Sequence, residues 1–195
     1  MPLAKHTATR QKGDKRVRTK AALIEAAATV IGKKGYDRAS LEEIAVRAGM
    51  TRGAVYGNFK NKEELFLALI GTRWNPIVPA FKRGASFKRQ MHILGKTVVK
   101  EAHARRSQAA AATAFQLYVL THPPMRFRLT RQNRAIYLRM SKELVKFLPA
   151  KKLPMPAATF VRVLDALTTG LLFTHFQTPT LITADVIIAA FEALT

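Results

Sequence analysis

A short run of small and polar residues at positions 51–58 carries the side chains best suited to recognising another molecule through hydrogen bonds and close contacts. Its outward positions are Thr51, Arg52, Gly53, Ala54, Tyr56 and Asn58. The guanidinium of Arg52 can donate two parallel hydrogen bonds to guanine, and the methyl group of Ala54 can pack on the methyl group of thymine. The chemistry these residues favour is recognition of base edges in a major groove, with no bond made or broken.

Two short helices and a tight turn must position this run. Ser40 and Glu43 form the Ser-x-x-Glu pattern of a capping box, which predicts that the first helix begins at about Leu41. Gly49 ends that helix, because glycine tolerates the left-handed conformation that a helix C-terminus requires. Thr51 is the predicted N-cap of the second helix.

Three positions in this segment match the restrictions of a helix-turn-helix. Ala45 is small enough for the helices to cross, Gly49 makes the turn, and Val55 fills the space between the helices. A preceding helix is predicted over residues 18–34 by an apolar stripe with spacings of three and four. This stripe consists of Ala21, Ile24, Ala28 and Ile31. The sequence therefore predicts a three-helix unit that exposes the second helix of the pair to a major groove.

The segment from Ala21 to Trp74 resembles the DNA-binding domain of TetR/AcrR-type transcriptional regulators. The most specific part of the resemblance is the run YGNFKNKEEL at positions 56–65. The resemblance implies phosphate contacts for Thr51, Tyr56 and Lys62, and a contact near the bases or backbone for Asn58. The predicted DNA-contact set is Ser40, Thr51, Arg52, Gly53, Ala54, Tyr56, Asn58 and Lys62.

The whole chain is predicted to be all-α, with about nine helices. We predict a disordered basic arm at residues 1–17, because that segment has five cations, one acid and no apolar periodicity. The helix-turn-helix domain is expected at 18–62, and a larger helical effector-binding and dimerisation domain at 63–195. Pro76 and Pro79 are expected to kink or break the helix that joins the two.

Composition favours a nucleic-acid partner and gives an enzyme little support. The chain has 33 Lys and Arg against 12 Asp and Glu, a formal net charge of +21. It has no cysteine. His92 and His103 would lie about 16 Å apart along one helix face, too far to share a metal. His122 and His175 have no acidic residue at ligand spacing, so neither a metal nor a cofactor is expected. We find no nucleophile motif, glycine-rich phosphate loop or pair of carboxylates. No apolar run reaches the length of a membrane span, so a cytoplasmic protein without a membrane partner is expected.

Aromatic and apolar residues beyond position 70 supply two further predictions. By the resemblance, the effector pocket would be lined by Trp74, Phe81, Met91, Phe115, Tyr118, Tyr137 and His175. The helices at 157–176 and 183–194 are too apolar to face water, which predicts a dimer surface. Its predicted residues are Phe160, Leu164, Leu167, Leu171, Val186, Ile187 and Ala190.

These patterns together predict a sequence-specific, DNA-binding transcriptional regulator and not an enzyme. By the resemblance it would be a homodimeric repressor that an aromatic or anionic small molecule releases from a palindromic operator in double-stranded DNA. Two alternatives stay open from the residues themselves. One is a non-specific nucleic-acid binder that uses charge alone; the other is an enzyme or small-molecule carrier built on the C-terminal helices.

Overall fold

The computed structural model describes residues 4–73 and 76–195, and these residues contain nine α-helices, two 3-10 helices and no β-strand. The all-α prediction is confirmed. The helices are α1 (Ala4–Arg38), α2 (Leu41–Arg47), α3 (Arg52–Tyr56), α4 (Lys62–Arg73), α5 (Phe87–Arg105), α6 (Ala109–Thr121), α7 (Pro123–Leu144), α8 (Ala157–Gln177) and α9 (Ala184–Glu192). The 3-10 helices lie at Arg106–Gln108 and Ala150–Lys152.

Helix α1 begins much earlier than the sequence predicts. The prediction of a disordered arm is wrong for residues 4–17, which are helical; residues 1–3 lie outside the described residues. Lys, Arg, Gln and Ala are strong helix formers, so this segment extends the helix without an apolar stripe of its own. The regular helix stops where predicted, at Gly35, whose φ of 78° is left-handed.

The chain divides into two compact units, the first formed by residues 1–75 and 110–118. Its core joins α1 to the helix-turn-helix through residues that are 0–1% exposed: Leu23, Ala27, Ile31, Ile44, Val55, Phe59, Leu65, Phe66 and Leu69. Beside this core the Tyr36 and Phe66 rings stack at 4.5 Å, and the Tyr118 hydroxyl donates to Glu63 Oε2 at 3.4 Å. Burial raises the pKa of Tyr36 above its ordinary value. A segment of α6 therefore completes the unit that carries α2 and α3.

The second unit consists of residues 76–109 and 119–195. Its core draws on α5, α7, α8 and α9 and is centred on Met91, Val98, Leu148, Phe160 and Phe191, each at most 1% exposed. Residues 76–81 are not helical, in agreement with the break predicted at Pro76 and Pro79. This unit thus has a hydrophobic core of its own.

Helices α5 and α9 approach closely at Gly95. A Cβ atom built on Gly95 would lie 2.9 Å from the Cα atom of Ile188, which is too close for any side chain. Gly95→Ala should therefore lower the free energy of unfolding by about 1–3 kcal/mol, because one helix must move away from the other. Chemical denaturation measures this change.

The matched control is Gly71→Ala, in the exposed part of α4, where no atom lies within 4 Å of the added Cβ. That substitution should raise stability by about 0.5–1 kcal/mol, since alanine is the better helix former. A Gly95→Ala variant that is at least as stable as the wild type would disprove the close packing of α5 on α9.

Helix α8 carries more apolar surface than the chain itself buries. Among the described residues it is the one helix long and apolar enough to cross a membrane by length and composition, although Arg162 and Asp165 interrupt its apolar run. Only 22% of its most apolar stretch is buried within the chain. One face carries a stripe of exposed and mostly small residues at every fourth position: Ala158, Arg162, Ala166, Gly170 and Thr174.

Candidate nucleic-acid interface

The capping box at the start of α2 forms as predicted. Ser40 Oγ accepts a hydrogen bond from the Glu43 backbone N–H at 3.1 Å, and Glu43 Oε2 accepts one from the Ser40 N–H at 3.2 Å. Lys34 Nζ also binds Glu43, and together with the Ser40 N–H it lowers the pKa of the Glu43 carboxyl. The Ser40 hydroxyl is therefore engaged within the protein, and its DNA contact stays a prediction.

The turn between α2 and α3 has the geometry that a helix-turn-helix requires. Gly49 has a left-handed φ of 64°, and the Met50 N–H closes the turn by donating to the Ala45 carbonyl at 2.9 Å. Thr51 Oγ1 caps α3 by accepting from the Ala54 N–H at 3.3 Å. Val55, on the inward face of α3, is fully buried. These contacts fix α3 so that its other face is open to solvent.

Arg52 is the cation that α3 itself carries, and it is held in a defined position. Its side chain is 68% exposed, its Nε lies 3.1 Å from Glu42 Oε1, and its guanidinium lies 5.4 Å from the centre of the Tyr56 ring. Tyr56 and Glu42 raise the pKa of Arg52 above its ordinary value. Glu42 was missed by the sequence reasoning, although its position ten residues before Arg52 is visible in the sequence. Glu42 therefore competes with an anionic or acceptor ligand for the guanidinium of Arg52.

The remaining predicted contact residues of α3 divide into two groups. Thr51, Gly53 and Tyr56 are exposed, with Tyr56 46% exposed, so they are available to a ligand. Asn58 is turned inward, because its Nδ2 donates to the Ala54 carbonyl at 2.8 Å, and Ala54 itself is half-buried. In this structure Asn58 stabilises the end of α3, and its DNA contact stays a prediction.

Lys62, in the first turn of α4, has protein partners, and its contact with a phosphate stays a prediction. Its Nζ donates to the backbone carbonyls of Tyr36 at 2.9 Å, Asp37 at 3.1 Å and Ala39 at 3.1 Å. It also lies 4.4 Å from the centre of the Tyr36 ring. An ammonium group has three N–H donors, and these three carbonyls use all of them. Lys62 thus ties the start of α4 to the end of α1.

The predicted effector residues are divided between the two units. Phe115 and Tyr118 belong to the first unit, and Phe81, Met91, Tyr137 and His175 belong to the second. Trp74 lies outside the described residues.

Within the second unit the predicted effector residues have local partners. The Tyr137 hydroxyl donates to Asp165 Oδ2 at 2.7 Å, and burial together with this hydrogen bond raises the pKa of Tyr137 to about 12. His175 Nδ1 lies 2.7 Å from the Ile182 carbonyl oxygen, and Met91 is fully buried in the core. An effector site lined by these residues stays a prediction.

The predicted dimer residues require a correction. Phe160 is 0% exposed and Ile187 is 1% exposed, so both belong to the chain's own core and cannot contact a partner. Periodicity identified the apolar faces of α8 and α9 but not which of them the chain itself covers. The other five predicted residues retain accessible surface: Leu164, Leu167, Leu171, Val186 and Ala190.

Comparisons with known proteins agree with this geometry. Residues 23–69 match the model of the family described as "Bacterial regulatory proteins, tetR family". The chain is 35% identical over 83 residues to the HTH-type transcriptional repressor BepR of Brucella suis, an alignment covering 42% of this chain and 40% of BepR. It is 50% identical over 52 residues to the HTH-type transcriptional regulator TtgR of Pseudomonas putida, covering 27% of this chain and 25% of TtgR. The chain thus spans less than half the length of these two relatives.

A relative that is matched over two thirds of its length, and a solved structure that is matched over most of this chain, extend the similarity beyond the helix-turn-helix. The uncharacterized HTH-type transcriptional regulator TtgW of Pseudomonas putida is 31% identical over 90 residues, which cover 46% of this chain and 67% of TtgW. A transcriptional regulator from Rhodococcus sp. Rha1 has the same fold, with a TM-score of 0.68 at 22% identity over 90% of this chain and 92% of that chain. On the strength of the helix-turn-helix and these matches, the chain belongs to the TetR/AcrR family of transcriptional regulators.

Proposed function

We propose that the protein is a cytoplasmic, sequence-specific transcriptional repressor that binds a two-fold symmetric operator as a homodimer. The observation that carries this proposal is the exposed face of α3, which the capped turn and the buried Val55 hold outward with Arg52 at its start. An α-helix that presents such residues fits the major groove, where each base pair has a distinct pattern of donors and acceptors. BepR, which is 35% identical to this chain over 83 residues, is named a transcriptional repressor.

The dimer is supported by the uncovered surface of α8. Its exposed stripe contains Ala158, Ala166 and Gly170, and small residues of this kind let a second helix approach closely. Val186 of α9 is 41% exposed and adds apolar surface. Two such helices from each chain would form a four-helix bundle about a two-fold axis. The same symmetry requires an operator with two related half-sites.

Release by a small molecule is the regulatory part of the proposal. An effector that binds more tightly to a conformation with separated α3 helices lowers operator affinity by the ratio of its two affinities. The second unit has side chains suited to such a site. Half-buried aromatic residues pack around its core, and they include Phe81, Phe87 and Tyr137. We propose that an aromatic or anionic effector binds among them.

Selection of fragments from genomic DNA tests the proposed function. The full-length protein is incubated with sheared DNA, and the retained fragments are sequenced. The expected result is a common motif with two-fold symmetry. Retention of fragments without a shared motif would instead show a charge-driven, non-specific nucleic-acid binder.

Arg52→Ala should weaken binding to the selected operator by about 1–3 kcal/mol and relax base preference at one position of each half-site. The guanidinium is the one group of α3 able to bond bidentately to guanine. Equal losses on operator and on random duplex would show that Arg52 contacts only phosphate.

Glu42→Gln is the companion variant, because it releases Arg52 and removes a negative charge near the DNA. It should strengthen binding to both duplexes.

A further inference from the structure

The outward face of α7 is strongly basic. This helix of 22 residues is about 33 Å long and contains six Lys and Arg and one acidic residue. All six cations are exposed: Arg126, Arg128, Arg131, Arg134, Arg139 and Lys142. Arg131 and Lys142 are eleven residues apart, which places them on the same face, directly opposite the buried side of the helix. Neither the helix-turn-helix nor the proposed dimer surface uses this face.

The charge of four of these six cations is not neutralised within the part of the chain that the structure describes. Among the described residues, no ion pair joins Arg131, Arg134, Arg139 or Lys142 to a carboxylate. The acid of the same helix, Glu143, accepts from Lys146 Nζ at 2.7 Å. Four cations along one side of a straight helix produce a local positive field, which an anionic polymer can neutralise with release of its counterions.

The details of the face favour a phosphodiester backbone over a lipid surface. Three of these four cations are arginines, whose planar guanidinium matches the geometry of phosphate oxygens. An amphipathic helix binds a bilayer through its apolar side, and the apolar side of α7 is already packed in the core through Leu144, Tyr137 and Met140. Phe127 and Leu138 are the large apolar side chains that α7 exposes, too few to anchor it in lipid.

We propose that α7 is a second nucleic-acid-binding surface, which holds the phosphate backbone of duplex DNA without regard to sequence. This surface is distinct from the one proposed for operator recognition, because it lies on a different helix and requires no particular base sequence. A protein with both surfaces can remain on DNA between operators. It can also hold a second duplex while α3 occupies the first.

The test compares two full-length variants with the same loss of charge. The first is Arg131→Gln, Arg139→Gln, Lys142→Gln on α7. The second removes three exposed lysines scattered over the same unit: Lys82→Gln, Lys96→Gln, Lys152→Gln. Affinity for a duplex of random sequence is measured by fluorescence anisotropy at several salt concentrations. Thermal unfolding of each variant verifies that the fold is retained.

The α7 variant should lose affinity, and its log–log salt slope should shrink by about 1–3 units, since each lost phosphate contact accounts for about 0.9 unit. The scattered variant should keep the wild-type slope. Equal slopes for the two variants would overturn the proposal, because net charge alone would then explain binding. A loss of binding confined to vesicles of phosphatidylglycerol and phosphatidylcholine would also overturn it.

Capture of a second duplex separates this proposal from the proposed function. Protein bound to an immobilised, selected operator should retain a labelled random duplex, and the α7 variant should keep the operator but lose the label. Retention of the label by the α7 variant would contradict the role of α7. The random-duplex titration needs no operator, so it remains decisive even if fragment selection yields no motif.

Discussion

Ala166→Glu should give a folded protein that no longer dimerises and binds its operator about 10²–10⁴-fold more weakly, the range expected when two linked sites become independent. Ala166 is exposed on the small-residue stripe of α8, so the substitution leaves the core of the single chain intact. In the proposed four-helix bundle the larger side chain would push the two helices apart and its carboxylate would lose water, a cost that Arg162 one turn earlier offsets only in part. Analytical ultracentrifugation and operator titration measure the two effects.

Two further variants make this result interpretable. Gly170→Glu lies one turn further along the same stripe, where no atom lies within 4 Å of an added Cβ, and should behave in the same way. Ala104→Glu places the same side chain on an exposed position of α5 and should leave both dimer and affinity unchanged. A stable, operator-binding dimer for both α8 variants would place the interface elsewhere.

Lys62→Met should lower the free energy of unfolding by about 2 kcal/mol, because three carbonyl groups lose a charged donor. For a chain of this size that corresponds to a fall in Tm of about 4–8 °C. Met keeps the length of the aliphatic stem, so packing against Tyr36 changes little. The neighbouring substitution Lys60→Met removes an exposed lysine and should change stability by less than about 0.5 kcal/mol.

The salt dependence of DNA binding separates the two roles of Lys62. If its cation serves the carbonyls of Tyr36, Asp37 and Ala39, Lys62→Met keeps the wild-type salt slope at temperatures where it is folded. An unchanged Tm together with a slope smaller by about 0.9 would contradict this role and support the phosphate contact that the resemblance implies.

Local signals explain why the helix-turn-helix was predictable. The capping box of Ser40 and Glu43, the left-handed Gly49 and the cap of Thr51 all depend on residues within a few positions of each other. The helix ends and the turn of this segment can therefore be predicted from its residue types alone. The same reasoning failed for residues 4–17, where helix propensity acts without an apolar stripe.

Long-range contacts explain what the sequence left open. The partners of Lys62 lie 23–26 residues earlier in the chain, and no periodic pattern predicts them. Arg52 and Glu42 lie on different helices, so their pairing depends on how the turn orients α3. For Phe160 and Ile187, hydrophobicity predicts burial but does not distinguish a chain's own core from the surface of a partner.

The most direct test of the central claim is the ratio of affinities for the selected operator and a scrambled duplex of the same length, measured as salt is raised. Phosphate contacts weaken together on both duplexes, whereas base contacts made by α3 are much less sensitive to salt. The account predicts a ratio of at least about 10³ that persists as both affinities fall. A ratio that approaches one would show that the protein binds DNA by charge alone and would contradict sequence recognition by α3.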